Sequence, residues 1–119
     1  MRYFSSNVSN KAATRAVQLY QILIGYAARR QTIGYKELAG LIGWKSGRPL
    51  NKPLGYLMYW CQREGLPPIT AIVVDINSGL PGLGFTAAAK VPKAQQTVYK
   101  KDWYAIYAPT VKELEGTFP

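Results

Sequence analysis

Lys52, Tyr56, Tyr59 and Arg63 recur at spacings of four, three and four residues within NKPLGYLMYWCQRE. At about 100° per residue, a helix would gather them within an arc of about 60°. Two cations with two phenols between them suit a polyanionic surface. The cations meet phosphates or guanine edges, and the phenols donate hydrogen bonds or stack on bases. Lys45 and Arg48 lie just upstream and would flank such a face. A second placement stays open, in which Tyr56 and Tyr59 pack beneath a wing or a C-terminal helix, since tyrosines are commonly half-buried. The opposite side of the helix carries Leu54, Leu57, Met58 and Cys61, the spacing of a core stripe, with Trp60 at the border and assigned to the core.

Other chemistry finds little support. Cys61, the one cysteine, falls on the apolar stripe, where a thiol packs as a small hydrophobe with a raised pKa. The chain contains no histidine and its six acids are scattered, so neither a general base near neutral pH nor a usual zinc ligand set is expected. The reading is therefore a non-enzyme with no cofactor and no metal. GLPGLG (79–84) has glycine spacing reminiscent of a phosphate cradle, but it follows a turn rather than a strand. Glycines that let a wing tip approach a nucleic-acid backbone fit it better.

Charge sharpens the choice of partner. The 119 residues carry a net charge of +9. Residues 1–63 hold ten Lys and Arg against the single acid Glu37, whereas residues 64–119 hold five of each sign. A one-sided field of this kind suits a polyanion, because each neutralised phosphate releases condensed counterions. No apolar stretch reaches the roughly 18 residues of a membrane span, and MRYFSSNVSNK lacks the apolar centre of a signal peptide. A soluble, cytoplasmic protein without membrane contact is expected.

The elements that must position this face can be read from periodicity. A polar tail over residues 1–8 precedes a helix from about Ser9, capped by Ser9 or Asn10. Its inward positions are Ala13, Ala16, Val17, Tyr20, Leu23, Ile24 and Ala27, with Arg29 and Arg30 in its last turn. QTIGYKELAGLIGW predicts a short extended stretch and a second helix, with Gly34 near its cap, Leu38, Leu41 and Ile42 facing inward, and Gly43 ending it. After a turn-rich KSGRPLNKP, Pro53 fits the first turn of the third helix, which runs to about Glu64 before Gly65. ITAIVVDI reads as a strand, Asn77–Gly79 as a turn, and LPGLGF as the far side of a hairpin-like wing. Residues 86–96 read as a linker, and Tyr99 to Tyr107 as a last helix before Pro109.

The order of these residues resembles the C-terminal domain of the alkylguanine-DNA alkyltransferases and the related alkyltransferase-like proteins. IGYKELAGLIG (33–43) is similar to that family's V-[ST]-Y-G-E-[LI]-A segment, with Tyr35, Glu37, Leu38 and Ala39 in matching places. KPLG (52–55) resembles its R-A-V-G, LPPITAIVV (66–74) looks like the strand that follows, and DINSGLPGLGF (75–85) is similar to its glycine-bearing wing. The likeness covers about residues 15–85. It implies a recognition helix in the minor groove, Lys52 in the place of the arginine that enters the base stack, and Tyr35 as a phosphate-contacting tyrosine. The family's P-C-H-R nucleophile segment has no counterpart between Ile69 and Val74, and Lys52 lacks the planar guanidinium. The third helix is also about one turn longer than in the family. The resemblance thus implies DNA binding without alkyl transfer.

Together these readings predict an α+β domain, mainly a winged helix-turn-helix with a small β wing and a C-terminal helical extension. Residues 9–86 would form the DNA-binding domain, and 87–119 a linker with a helix packed on it. Duplex DNA is the expected partner, held by Tyr35, Lys45, Arg48, Lys52, Tyr56, Tyr59 and Arg63. The rival expectation is a protein-interaction module, an inhibitor or accessory factor whose basic face docks on an acidic protein.

Overall fold

The computed structural model describes residues 12–79, 81 and 91–117, without the side chain of Arg48. The cap expected at Ser9 or Asn10, the tail before it, most of the expected wing and the first part of the expected linker lie outside those residues. Those residues are mostly helical, with one two-stranded sheet among them.

Helix α1 (Ala12–Ala28) buries Ala13, Ala16, Leu19, Tyr20, Leu23 and Ala27. These positions recur every three or four residues, so one stripe of the helix faces the core along its whole length. Val17 and Ile24 are half-buried at its edge, and Leu19 replaces them in the centre. Arg29 and Arg30 lie beyond the helix rather than in its last turn. Arg30 takes a left-handed conformation (φ 56°), its N–H bonded to Ala27 O at 3.0 Å and that of Gln31 to Tyr26 O at 3.0 Å. That pairing satisfies the helix's last carbonyls and leaves both arginines exposed.

Strand β1 (Ile33–Gly34) leads directly into α2 (Tyr35–Leu41), which buries Leu38 and Ala39. Gly43 at φ 84° closes α2, with Trp44 N–H bonding Ala39 O at 2.9 Å. Leu41 was expected inside and is 54% exposed. The helix ends at that residue, so no further turn carries its side chain over the core. A 3-10 turn (Arg48–Leu50) runs without a side-chain cap into α3 (Asn51–Glu64). Pro53 sits in the first turn of α3, where its missing N–H has no helical partner to lose. Gly65 at φ 67° ends the helix, and Leu66 N–H reaches back to Cys61 O at 2.8 Å.

The β-branched run after Pro67 and Pro68 departs from the strand expected of it. Ile69–Ile72 forms a 3-10 turn with all four residues buried, and only Val73–Val74 is a strand, β2. Pro68 is extended and its carbonyl accepts from Ala71 N–H at 2.9 Å, which starts the turn. The tight winding directs four side chains into the core from different sides, and that burial outweighs β propensity. β2 pairs with β1 in parallel, Ile33 opposite Val73 and Gly34 opposite Val74. A hairpin wing would pair antiparallel, so this ladder joins the approach to α2 with the end of the core segment. A turn follows at Asp75, whose carboxylate accepts from Asn77 N–H at 2.8 Å, with Gly79 at φ 71°.

The C-terminal part differs most from expectation. Helix α4 (Val91–Lys100) occupies ground assigned to a linker, and the helix expected over Tyr99 to Tyr107 is instead the end of α4 plus a 3-10 turn (Trp103–Ala105). α4 buries only Val91 and Val98, and Gln95 Nε2 donates to Ala71 O at 3.0 Å. The buried Trp103 donates from Nε1 to Val98 O at 2.9 Å, a carbonyl near the end of α4 that also accepts from Lys101 N–H at 3.3 Å. A capping box starts α5 (Val111–Thr117): Glu113 N–H donates to Thr110 Oγ1 at 3.1 Å, and Thr110 N–H to Glu113 Oε1 at 3.3 Å. Helix α5 packs on both α1 and α3, and α4 packs on the Ile69–Ile72 turn.

At the centre Tyr20 meets Trp60 edge-on at 5.5 Å and Trp103 at 6.2 Å between ring centroids. One tyrosine thus links the central helix to α3 and to the C-terminal segment. Tyr20 Oη, Trp60 Nε1 and Thr70 Oγ1 are buried there without a hydrogen-bond partner.

Candidate nucleic-acid interface

The face singled out in the sequence is carried by α3, whose buried residues are Pro53, Leu54, Gly55, Leu57, Trp60 and Cys61. That burial fixes the rotation of the helix. Lys52 and Arg63 are exposed at its two ends, while Tyr56 and Tyr59 between them are half-buried. The two placements left open for the phenols therefore meet halfway, and Tyr56 packs against the core. Met58, assigned to the stripe, is only half-buried. Arg63 Nε lies 3.4 Å from Glu64 Oε2, an exposed pair that a phosphate can displace at little cost.

Tyr35 and Lys45 are placed by a close backbone crossing. A Cβ added to Gly47 would lie 2.7 Å from Tyr35 Cβ and 3.0 Å from its carbonyl carbon. Only glycine lets the loop after α2 run so near the first residue of that helix. The crossing seats the Arg48–Leu50 turn against α2 and thereby sets where α3 begins. Tyr35 is half-buried in this contact, and Lys45 is exposed on the loop. The side chain of Arg48 is outside the described residues. Gly47→Ala is expected to destabilise the fold by about 1–3 kcal/mol, because the added Cβ would force the loop off the Tyr35 backbone. Thermal unfolding followed by circular dichroism checks this.

Sequence reasoning missed the role of Arg15. Its guanidinium lies 5.4 Å over the Trp44 ring and donates to Gln18 Oε1 at 2.8 Å and to Ile42 O at 3.2 Å. It pins the end of α2 to α1, so one cation of the basic half is structural. Trp44 directly after the glycine that closes α2 is the signal that could have pointed to it. Arg29 likewise covers the Tyr26 ring at 4.7 Å.

Titration chemistry is concentrated in the core. Burial pushes the Cys61 thiol up to about 11, against a smaller opposing pull from a backbone hydrogen bond at Ile69. Burial also pushes Tyr20 up to about 12, with Cys61 adding to it. A thiol of this kind is a poor nucleophile near neutral pH. Cys61 is expected to resist iodoacetamide in the folded protein and to react once urea unfolds it, as mass spectrometry would record. Both shifts also carry a sign for stability. The unfolded chain loses these protons first as pH rises, so the melting temperature should hold to about pH 9 and fall between pH 9 and 12.

No group of three or more potential metal ligands exists among the described residues, and no helix among them is long and apolar enough to cross a membrane. Comparison with protein-family models, with curated proteins and with solved structures returns no match.

Proposed function

We propose that this chain is a non-catalytic, cytoplasmic DNA-binding protein that grips duplex DNA through α3. The observation that carries the reading is the exposure of Lys52 and Arg63 at opposite ends of one helix face, in a half-chain with ten bases and a single acid. Lys45 and Arg48 extend the positive charge along the loop before α3. Tyr56 and Tyr59 stand half-buried between the cations, and Tyr35 stands at the start of α2. The resemblance to the alkyltransferase-like domains supports the same reading, since it implies a recognition helix at this place in the chain and a glycine-bearing wing over residues 75–85. Phosphate contacts supply affinity in this scheme, and the phenols supply what base contact there is.

Fluorescence anisotropy of a labelled duplex tests the reading. Four phosphate contacts give a slope of about −3.6 in log affinity against log salt, or about 150-fold weaker binding at 200 mM than at 50 mM. Absence of binding at 50 mM, or binding insensitive to salt, would contradict it.

A further inference from the structure

A groove of about 550 Å³ lies between the C-terminal end of α3 and the segment that leads into α5. Trp60, Leu66 and Ile106 form its apolar walls, and Glu64, Glu113 and Tyr107 stand around it. Around the axis of α3 it is displaced from the basic strip by about 90°. Two observations mark it. First, Tyr107, which lines it, is 97% exposed. Its ring is not buried as the core aromatics are, and exposed aromatic side chains are the residues that partner proteins cover. Second, the charge reverses. The chain has six acids against fifteen bases, yet two of the six line this one groove.

Glu113 spends Oε1 on the Thr110 N–H and keeps its second oxygen. Glu64 pairs with the exposed Arg63, a contact that a competing cation displaces at little cost. The complement of such a groove is a cation on an aliphatic stem. The stem packs on Leu66 and Ile106, and the charged head meets the carboxylates and the face of Tyr107. Nucleic acid is disfavoured here, because its phosphates would face both carboxylates.

We propose that this groove is a docking site for a segment of a partner protein that presents Lys or Arg beside an apolar residue. Lys45, Lys52 and Arg63 are not among the residues that line it, so the site is tested apart from the DNA-binding reading. The chain would then join two partners, a polyanion on one face of α3 and a basic peptide on the next.

The test uses the full chain, labelled with nitrogen-15, and an acetylated, amidated hexapeptide of alternating leucine and arginine in 150 mM salt. A control peptide replaces arginine by glutamate. Amide shifts should move in residues 60–66 and 106–113 with the basic peptide and stay fixed with the control. Tyr107→Ala and Glu64→Gln, both at exposed positions, should each weaken binding about fivefold or more. Absence of binding, shifts confined to other surfaces, or equal affinity in both variants would overturn the proposal. So would sedimentation showing that the chain alone self-associates and that Tyr107→Ala dissolves the oligomer, because a second copy would then be the occupant. Should either variant lose stability, the shift map of the unmodified chain still decides.

Discussion

Trp60→Ala should destabilise the protein by about 3–5 kcal/mol, the range for deleting a large buried aromatic side chain. For a domain of this size that corresponds to a fall of roughly 15 °C in melting temperature, visible by circular dichroism. The size follows from position. The ring is 3% exposed and lies edge-on to Tyr20, which itself contacts Trp103, so a cavity at Trp60 loosens α3, α1 and the C-terminal segment together. Trp60→Phe should cost far less. It keeps most of the contact area and removes the indole N–H that has no acceptor, a group whose burial is itself unfavourable by about 1–3 kcal/mol. A Trp60→Ala protein that melts within a few degrees of the original would show that this cluster is not the centre of the core.

The second large effect concerns binding. Lys52 and Arg63 are both exposed, so their replacement by alanine should leave the melting temperature nearly unchanged. Each phosphate contact contributes about 0.9 to the salt slope, which at 0.1 M salt is worth about eightfold in affinity relative to 1 M. Losing two contacts should therefore weaken duplex binding about 60-fold at 0.1 M and flatten the slope by about 1.8. Lys52→Glu with Arg63→Glu adds repulsion and should weaken it further. A double alanine variant that keeps the original affinity and slope would remove α3 from the interface, even if the protein binds DNA by another surface.

Much of the helical frame was legible in the chain because periodicity and glycine punctuation agree. The stripes of α1 and α3 follow from apolar spacing, and Gly43 and Gly65 end α2 and α3 in left-handed conformations that glycine adopts freely. Boundaries failed where one residue decides them. Leu41 keeps the helical period yet faces solvent because α2 stops there, and Arg30 closes α1 in a conformation usually left to glycine.

Other segments hid their structure for physical reasons. The Ile69–Ile72 stretch carries strand-like residues, but its conformation is set by Pro68 before it and by the core around it. α4 shows only two buried valines seven residues apart among polar neighbours, too sparse a stripe to read without the surface it covers. For the candidate interface, the helical wheel gives direction but not neighbours. It placed Lys52 and Arg63 outward, and it could not say that Tyr56 would lean on the core or that Gly47 must be glycine for the backbone of Tyr35 to pass.

Mapping amide chemical shifts of the labelled protein during titration with a short duplex tests the central claim most directly. Perturbations should centre on residues 45–63, with Lys45, Lys52, Tyr56, Tyr59 and Arg63 moving together and saturating at one concentration. Shifts gathered instead on α4 or α5, with the exposed face of α3 unmoved, would contradict it.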